Sequence, residues 1–196
     1  MGKLSWKGGT LLAPVPPVVV TCSLNGQNNA LTIGWTGILN TDPPKTYISV
    51  RPERHSYEMI KQSREFTINL MPSRYAKAVD FCGVKSGKDT NKFKECGLHY
   101  EKGVKNGCPM VSESPLTLEC KITDEVELGT HTMFIADIVS CNVEEEILSS
   151  SGKLRLDKAD LLAYCHGEYF KLGEKLGSFG FSVMKPKTMR KKGIKR

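Results

Sequence analysis

The chain has 196 residues, 39% hydrophobic and 25% charged, a balance ordinary for a soluble globular protein with one substantial core. No apolar run approaches the roughly 20 residues that cross a bilayer, and Trp6 and Lys7 break the continuous apolar core that a secretory signal needs, so a cytoplasmic protein is expected. The formal charge of +7 points to nucleic acid only until it is located: the tail after Val183 holds seven cations and no acid, which leaves the body neutral. That tail, residues 184–196, has no aromatic side chain to stack on bases, and it reads as a solvated extension of a single domain at residues 1–183.

Pro14, Pro16 and Pro17 break the first segment, and the β-branched run 18–22 that follows reads as a strand. Asn25-Gly26 signals a tight hairpin turn. Residues 30–39 read as one strand in which Leu31, Ile33 and Trp35 alternate with Thr32, Gly34 and Thr36, giving an apolar face and a small polar face. After the turn Asp42-Pro43-Pro44 comes a strand at 46–50. Ser56 is placed to cap a short helix at 57–63, and Phe66, Ile68 and Leu70 alternate as another strand. A second helix is expected at 74–82 with Gly83 as its C-terminal cap. Residues 84–109 are glycine-rich and charged and read as a long irregular excursion, covering either a ligand or a second subunit. Two long β-rich runs, 116–126 and 130–143, read as adjoining antiparallel strands. In the last third, glycines interleaved with Tyr169, Phe170, Phe179 and Phe181 suggest irregular backbone packed by rings. Many strands with only two or three helices argue for a small antiparallel barrel.

Seven cysteines form an odd set with no C-x-x-C pair, which argues against a zinc ribbon or a redox dithiol and for reduced thiols; no metal site is expected. The glycine-rich and P-loop nucleotide fingerprints, the nucleophile elbow and the H-E-x-x-H zinc motif are all absent. What the residues do offer is a strand with a small polar face, followed by Arg51, Arg54, His55 and Ser56 where a strand gives way to a helix. Guanidinium, hydroxyl and helix-start N–H groups gathered there suit a planar ligand that carries a phosphate.

The runs T-I-G-W-T-G (32–37), D-P-P (42–44), S-V-R-P with R-H-S behind it (49–56), F-x-I-N-L (66–70), D-F-C-G with G-K-D-x-x-K-F (80–93), E-S-P-L-x-L-E-C (113–120), G-T-H (129–131) and H-G-E-Y-F with G-x-F-G-F-S-V (166–183) occur in this order. Together they resemble the flavin reductase-like family, and within it the flavoredoxin branch. The resemblance implies a mainly β fold, an FMN-binding split β-barrel of Greek-key antiparallel type with a few short helices, usually a homodimer. It implies FMN as cofactor and NADH or NADPH as electron donor, with free flavin, a ferric complex or a redox protein partner as acceptor. Carried onto this chain, it puts Thr32, Trp35, Thr36 and Gly37 beside the isoalloxazine, Ser49, Val50 and Arg51 on the neighbouring strand, and Arg54, His55 and Ser56 near the ribityl phosphate. Cys82, Gly83, Lys88 and Lys92 would close over the cofactor, and His131 would line the open face as the catalytic candidate, positioning or hydrogen bonding rather than acting as a base.

Several of these positions have plainer readings. Alternation puts Trp35 on the apolar side with Leu31 and Ile33, so it is equally a core residue, and it favours Thr32 and Thr36 for the ligand. Cys82 is equally a packing residue, and spacing alone leaves His131 balanced between strand and site. Three functions stay in view: a flavin oxidoreductase drawing on NAD(P)H, a flavoredoxin-type carrier that never meets nicotinamide, and, weakest, a nucleic-acid-binding barrel that uses the tail.

Overall fold

The computed structural model describes residues 2–185; the basic tail beyond Lys185 lies outside the described residues. The chain is mainly β. Strands β1 (Val18–Leu24), β2 (Gln27–Ile33), β3 (Thr36–Thr41), β4 (Pro44–Val50), β5 (Glu65–Leu70), β8 (Leu116–Glu127) and β9 (Thr132–Val143) form one antiparallel sheet in the order β2-β1-β5-β8-β9-β4-β3. Short strands β6 (Tyr100–Lys102) and β7 (Pro109–Val111) make one separate hairpin, and β10 (Leu162–Cys165) and β11 (Glu168–Lys171) another. Helices α1 (His55–Ser63), α2 (Ala76–Val84) and α3 (Lys92–Cys96) pack onto the sheet.

The strand expected at 30–39 is two strands, β2 and β3, and they lie at opposite edges of the sheet. Only Gly34 and Trp35 separate them, and two residues of chain span at most about 7–10 Å. The sheet therefore curls until its edges meet at that corner, which makes it a barrel split along one side. The Ser49 N–H donates to the Trp35 carbonyl at 3.0 Å and fastens the corner to β4.

β1 is apolar at successive positions because both of its faces are covered. Val18, Val20 and Cys22 join Leu31, Ile48, Phe66 and Phe134 around α1, whose Tyr57, Met59 and Ile60 turn inward. Val19 and Ala30 face the other way, against Val79 and Cys82 of α2 and Phe93, Leu98 and Val111. Asn25 and Gly26, with φ of 50° and 79°, form the turn between β1 and β2, as their residue types require.

Four other expectations are corrected. Ser56 does not cap α1 but lies in its first turn, the N-cap position being Arg54. Gly83 does not cap α2 but lies inside it, where a Cβ would stand 3.4 Å from Thr32 Cβ; it lets the helix approach β2, and the cap falls at Lys85. The stretch expected to be irregular contains α3 and the β6–β7 hairpin. It is held from below by a polar set: the fully buried Glu119 carboxylate accepts from the Lys105 and Asn106 N–H groups at 2.7 and 2.9 Å and from Asn142 Nδ2 at 3.0 Å. Burial alone would raise the Glu119 pKa; the donors outweigh it and hold the carboxyl below its ordinary range. Asn69 adds a second anchor, accepting from the Val111 N–H at 2.8 Å. Last, the aromatic C-terminal segment begins as the regular hairpin β10–β11, turned by His166 and Gly167 with φ of 45° and 100°.

Candidate functional site

At the corner where β2 breaks, the end of β4, the start of β9, the outer turn of α2 and the β10–β11 hairpin enclose a cleft of about 300 Å³. Leu31, Ile33 and Val50 give it an apolar floor. Trp35 and His131 form one rim, their rings 4.5 Å apart and inclined at 36°. Tyr164 and Tyr169 line it from the β10–β11 hairpin, and Arg51 and Arg54 also border it. The hairpin is tied over the cleft by Val15, whose N–H donates to Tyr164 O at 3.0 Å and whose carbonyl accepts from Tyr164 N at 2.8 Å.

A second chamber of about 80 Å³ adjoins the first and shares Leu31, Arg54 and Val84 with it. Asn29, Glu53, His55, Ser56, Lys85, Ser86, Gly87 and Lys92 complete its walls, so three cationic side chains face one carboxylate there, with Arg54 among the three. Ser56 and Lys92 are buried, 1% and 3% exposed, and Asn29 Nδ2 donates to Ser56 Oγ at 2.7 Å. Lys92 Nζ donates to the carbonyls of Ala30 at 2.7 Å and Cys82 at 2.9 Å. An ammonium has three donors, so one N–H is left for the chamber. Burial lowers the Lys92 pKa, and Arg54 pushes in the same direction against the nearby thiols; a dianion there would offset both effects. His55 and Ser56, the first residues of α1, line the same space, and N–H groups at a helix start have no partner within the helix.

Arg54 and Lys92 also act on α2. Arg54 Nη1 donates to Gly83 O at 2.9 Å, so the two cations satisfy two of the last carbonyls of that helix and face the negative end of its dipole. This holds both side chains in place beside the chamber.

Of the residues read from sequence, Thr32, Trp35, Ser49, Val50, Arg51, Arg54, Gly83 and His131 border the main cleft, and Arg54, His55, Ser56 and Lys92 the second chamber. Thr36 and Gly37 stand apart on β3: Thr36 Oγ1 donates to Tyr47 O at 2.6 Å, and Gly37 lies against the Tyr47 ring. Thr32 reaches the cleft, but its hydroxyl donates to Val79 O. Trp35 is 44% exposed and outside the core, because the chain bends at Gly34 and ends the alternation that pointed it inward. Cys82 is fully buried and bonds Lys92 through its carbonyl; burial pushes its thiol up to about 12. Lys88 is exposed and borders neither chamber.

The sequence reading did not find Pro17, Asp80, Val84, Tyr164 and Tyr169. Tyr169 Oη donates to Asp80 Oδ1 at 3.3 Å; burial first, then Asp80, pushes the phenol up to about 12, so it stays protonated. The signal was present in part: with Ala78, Val79 and Cys82 turned inward, Asp80, Gly83 and Val84 fall on the remaining face of α2. His131 is half-buried. Burial, then Arg51, lowers its pKa against the pull of Glu53, which favours the neutral ring, and its Nδ1 lies 2.9 Å from Thr130 Oγ1.

Residues 11–173 match the family described as "Flavin reductase like domain". An uncharacterized protein of Aeropyrum pernix is 30% identical over 128 residues, covering 65% of this chain, which spans only 49% of that protein. A protein of Archaeoglobus fulgidus named ferric-chelate reductase (NAD(P)H) is 23% identical across 80% of this chain and 85% of its own. Among solved structures, flavoredoxin of Desulfovibrio vulgaris (Miyazaki F) superposes with a TM-score of 0.87 at 28% identity, covering 93% of this chain and all of its own. The family model spans most of the chain and the fold superposes along nearly all of it, so the chain belongs to the flavin reductase-like domain family.

Proposed function

We propose that the cleft holds FMN and that the protein is a flavin oxidoreductase, drawing electrons from NADH or NADPH and delivering them to free flavin, a ferric complex or a redox protein partner. The reading rests on one juxtaposition: a half-apolar cleft of about 300 Å³ adjoins a small chamber with Arg54, Lys92, Ser56 and the start of α1 around it. The donor set fits FMN, since the phosphate end meets cations and N–H groups while the ring end meets Leu31, Val50 and the Trp35–His131 rim. When bound, the flavin supplies the redox chemistry. The protein's part is to anchor the anionic end, exclude water with the Tyr164 hairpin, and keep His131 neutral at the open face.

Anaerobic titration tests this. The purified protein takes up one FMN per chain with quenched flavin emission, and added NADH or NADPH bleaches the bound flavin. Failure to take up FMN would overturn the assignment. The second reading, a carrier that never meets nicotinamide, is favoured by the full-length likeness to flavoredoxin; uptake of FMN without bleaching by either nucleotide selects it.

A further inference from the structure

A third hollow, of about 210 Å³, lies between the β6–β7 hairpin and the paired ends of β8 and β9, and it shares no lining residue with the main cleft or the second chamber. Met110, Val111 and Val143 give it apolar walls, while Glu101 borders it from the hairpin and Glu144 from the chain just past β9. Thr117 and Asn142, cross-strand partners on β8 and β9, complete its polar lining with two serines. Thr117 is 4% exposed, and its hydroxyl is the buried side-chain group that has no hydrogen-bond partner among the described residues. A hydroxyl left so destabilises the fold and calls for a partner. Asn142 adds an acceptor: the Glu119 carboxylate can only accept, so Asn142 turns Nδ2 to it at 3.0 Å and keeps its carbonyl oxygen free of that bond.

The lining carries two carboxylates and, among the described residues, no cationic side chain. Its surroundings keep that sign. The segments that build it, residues 99–119 and 140–155, hold six carboxylates against Lys102, Lys105, Lys153 and Arg155, a local charge of −2. Lys102 alternates to the opposite face of β6 from Glu101, and its stem runs past Gly107, where a Cβ would stand 3.4 Å from Lys102 Cε. Arg155 is paired with Asp157 at 2.6 Å, and of the acids Glu113 is engaged by His99 at 2.7 Å.

We propose that this hollow binds a small alkylammonium ion, with the charged end among Glu101, Glu144 and the Thr117 hydroxyl and the alkyl part on Met110, Val111 and Val143. An ammonium has three N–H donors and no acceptor, which matches a lining rich in acceptors and without a cation. An anion would meet two like charges, and a neutral alcohol would leave both carboxylates uncompensated. A bare metal ion is disfavoured on two grounds: apolar walls cannot replace the oxygen ligands that such an ion requires, and the described residues contain no group of three or more His, Cys, Asp or Glu side chains arranged to hold one. An ammonium lodged there bridges β6 to the end of β9, so it adds a third tie, beside Glu119 and Asn69, between the excursion and the main sheet. The proposal does not rest on the reading of the cleft as a flavin site.

The test follows nitrogen–proton correlation spectra of the full chain during titration with n-butylammonium at about 50 mM salt, with n-butanol as the neutral isostere and calcium ion as the metal alternative. The amides of Met110, Ser112 and Asn142 are expected to shift along one saturable curve, with a dissociation constant of about 1 mM or tighter, and n-butanol and calcium are expected to leave them in place. E101Q/E144Q weakens binding at least roughly tenfold. Thr117→Val weakens it by a smaller factor, yet raises the urea midpoint of the amine-free protein, because valine fills a similar space without an orphaned hydroxyl; a residue of purely structural value would not give that opposed pair of effects. Unchanged far-ultraviolet circular dichroism reports that each variant is folded. Shifts that fail to saturate by about 20 mM, that n-butanol or calcium reproduces, or that persist undiminished in E101Q/E144Q overturn the proposal, as does a Thr117→Val protein that binds the amine as tightly as the unsubstituted chain. Failure of the protein to take up FMN overturns the flavin reading and leaves this one standing.

Discussion

Arg54 serves two partners from one position. Its guanidinium caps α2 through Gly83 O, and the same side chain borders the chamber. Losing a charge-assisted bond costs about 1.5–3 kcal/mol, so Arg54→Gln is expected to weaken FMN binding by roughly 10- to 100-fold and to leave riboflavin, which has no phosphate, unaffected; equilibrium dialysis of both ligands checks this. His131 carries the pH dependence. Its pKa lies below 6.5, lowered first by burial and then by Arg51. Protonation therefore adds a cation beside two arginines, and the unfolded chain binds that proton more readily than the folded one. Above pH 6.5 the ring is neutral in both states; as pH falls from 6.5 through the lowered value, stability declines. The rate of flavin bleaching by nicotinamide nucleotide is expected to be flat above pH 6.5 and to fall through the same window, and His131→Gln abolishes that acid limb in a stopped-flow pH profile.

At the scale of elements, the excursion from α3 through β7 depends on Glu119 more than on its own hydrophobicity. Its carboxylate takes two backbone N–H groups and Asn142, and Gly103 lies so close that a Cβ would fall 2.8 Å from Glu119 Oε2 and 2.6 Å from Asn106 Oδ1. Each orphaned buried donor costs about 1–3 kcal/mol. Glu119→Ala is therefore expected to lower the urea midpoint markedly without moving flavin affinity in the protein that remains folded. Because the folded pKa is depressed, this stability is present above the ordinary carboxyl value of 4.5 and is lost as pH falls through the lowered one; the variant flattens that acid limb. The same anchors explain which parts of the fold could be read from sequence. β5, β8 and β9 declare themselves by local alternation, and the Arg51 to Ser56 cluster declares its chemistry because its members are neighbours in the chain. The excursion concealed its order because Glu119, Asn106 and Asn69 act across long sequence separations. The break at Gly34-Trp35 was hidden for a related reason: the alternation runs through it unbroken, and only the curl of the whole sheet forces the bend. Asp80 and Tyr169 meet across 89 residues, beyond the reach of any spacing rule.

At the scale of the molecule, one chain leaves its split barrel with an uncovered margin. β3 is an edge strand, with Ile38 66% and Leu39 47% exposed on its opposite faces, and the preceding arm leaves Leu4, Trp6 and Leu12 exposed by 78% or more. Open strand edges and apolar groups in water invite pairing, and we propose that a second copy of the chain, related by a two-fold axis, covers them. Such a homodimer has a consequence for the site, since the Gly34-Trp35 corner that ends β2 also begins β3. In that dimer, covering β3 would stiffen the corner and with it the Trp35–His131 rim of the cleft. Sedimentation velocity is therefore expected to show a dimer, and Ile38→Asp, which puts a carboxylate into the covered face, to shift the chain toward monomer. The monomer keeps Arg54, Lys92 and the second chamber, so it still binds FMN, but it releases the flavin faster than the dimer because the ring end has lost its support. An unsubstituted chain that sediments as a monomer, or an Ile38→Asp variant that remains dimeric with an unchanged rate of flavin release, would show that β3 faces solvent and that the cleft is complete within one chain.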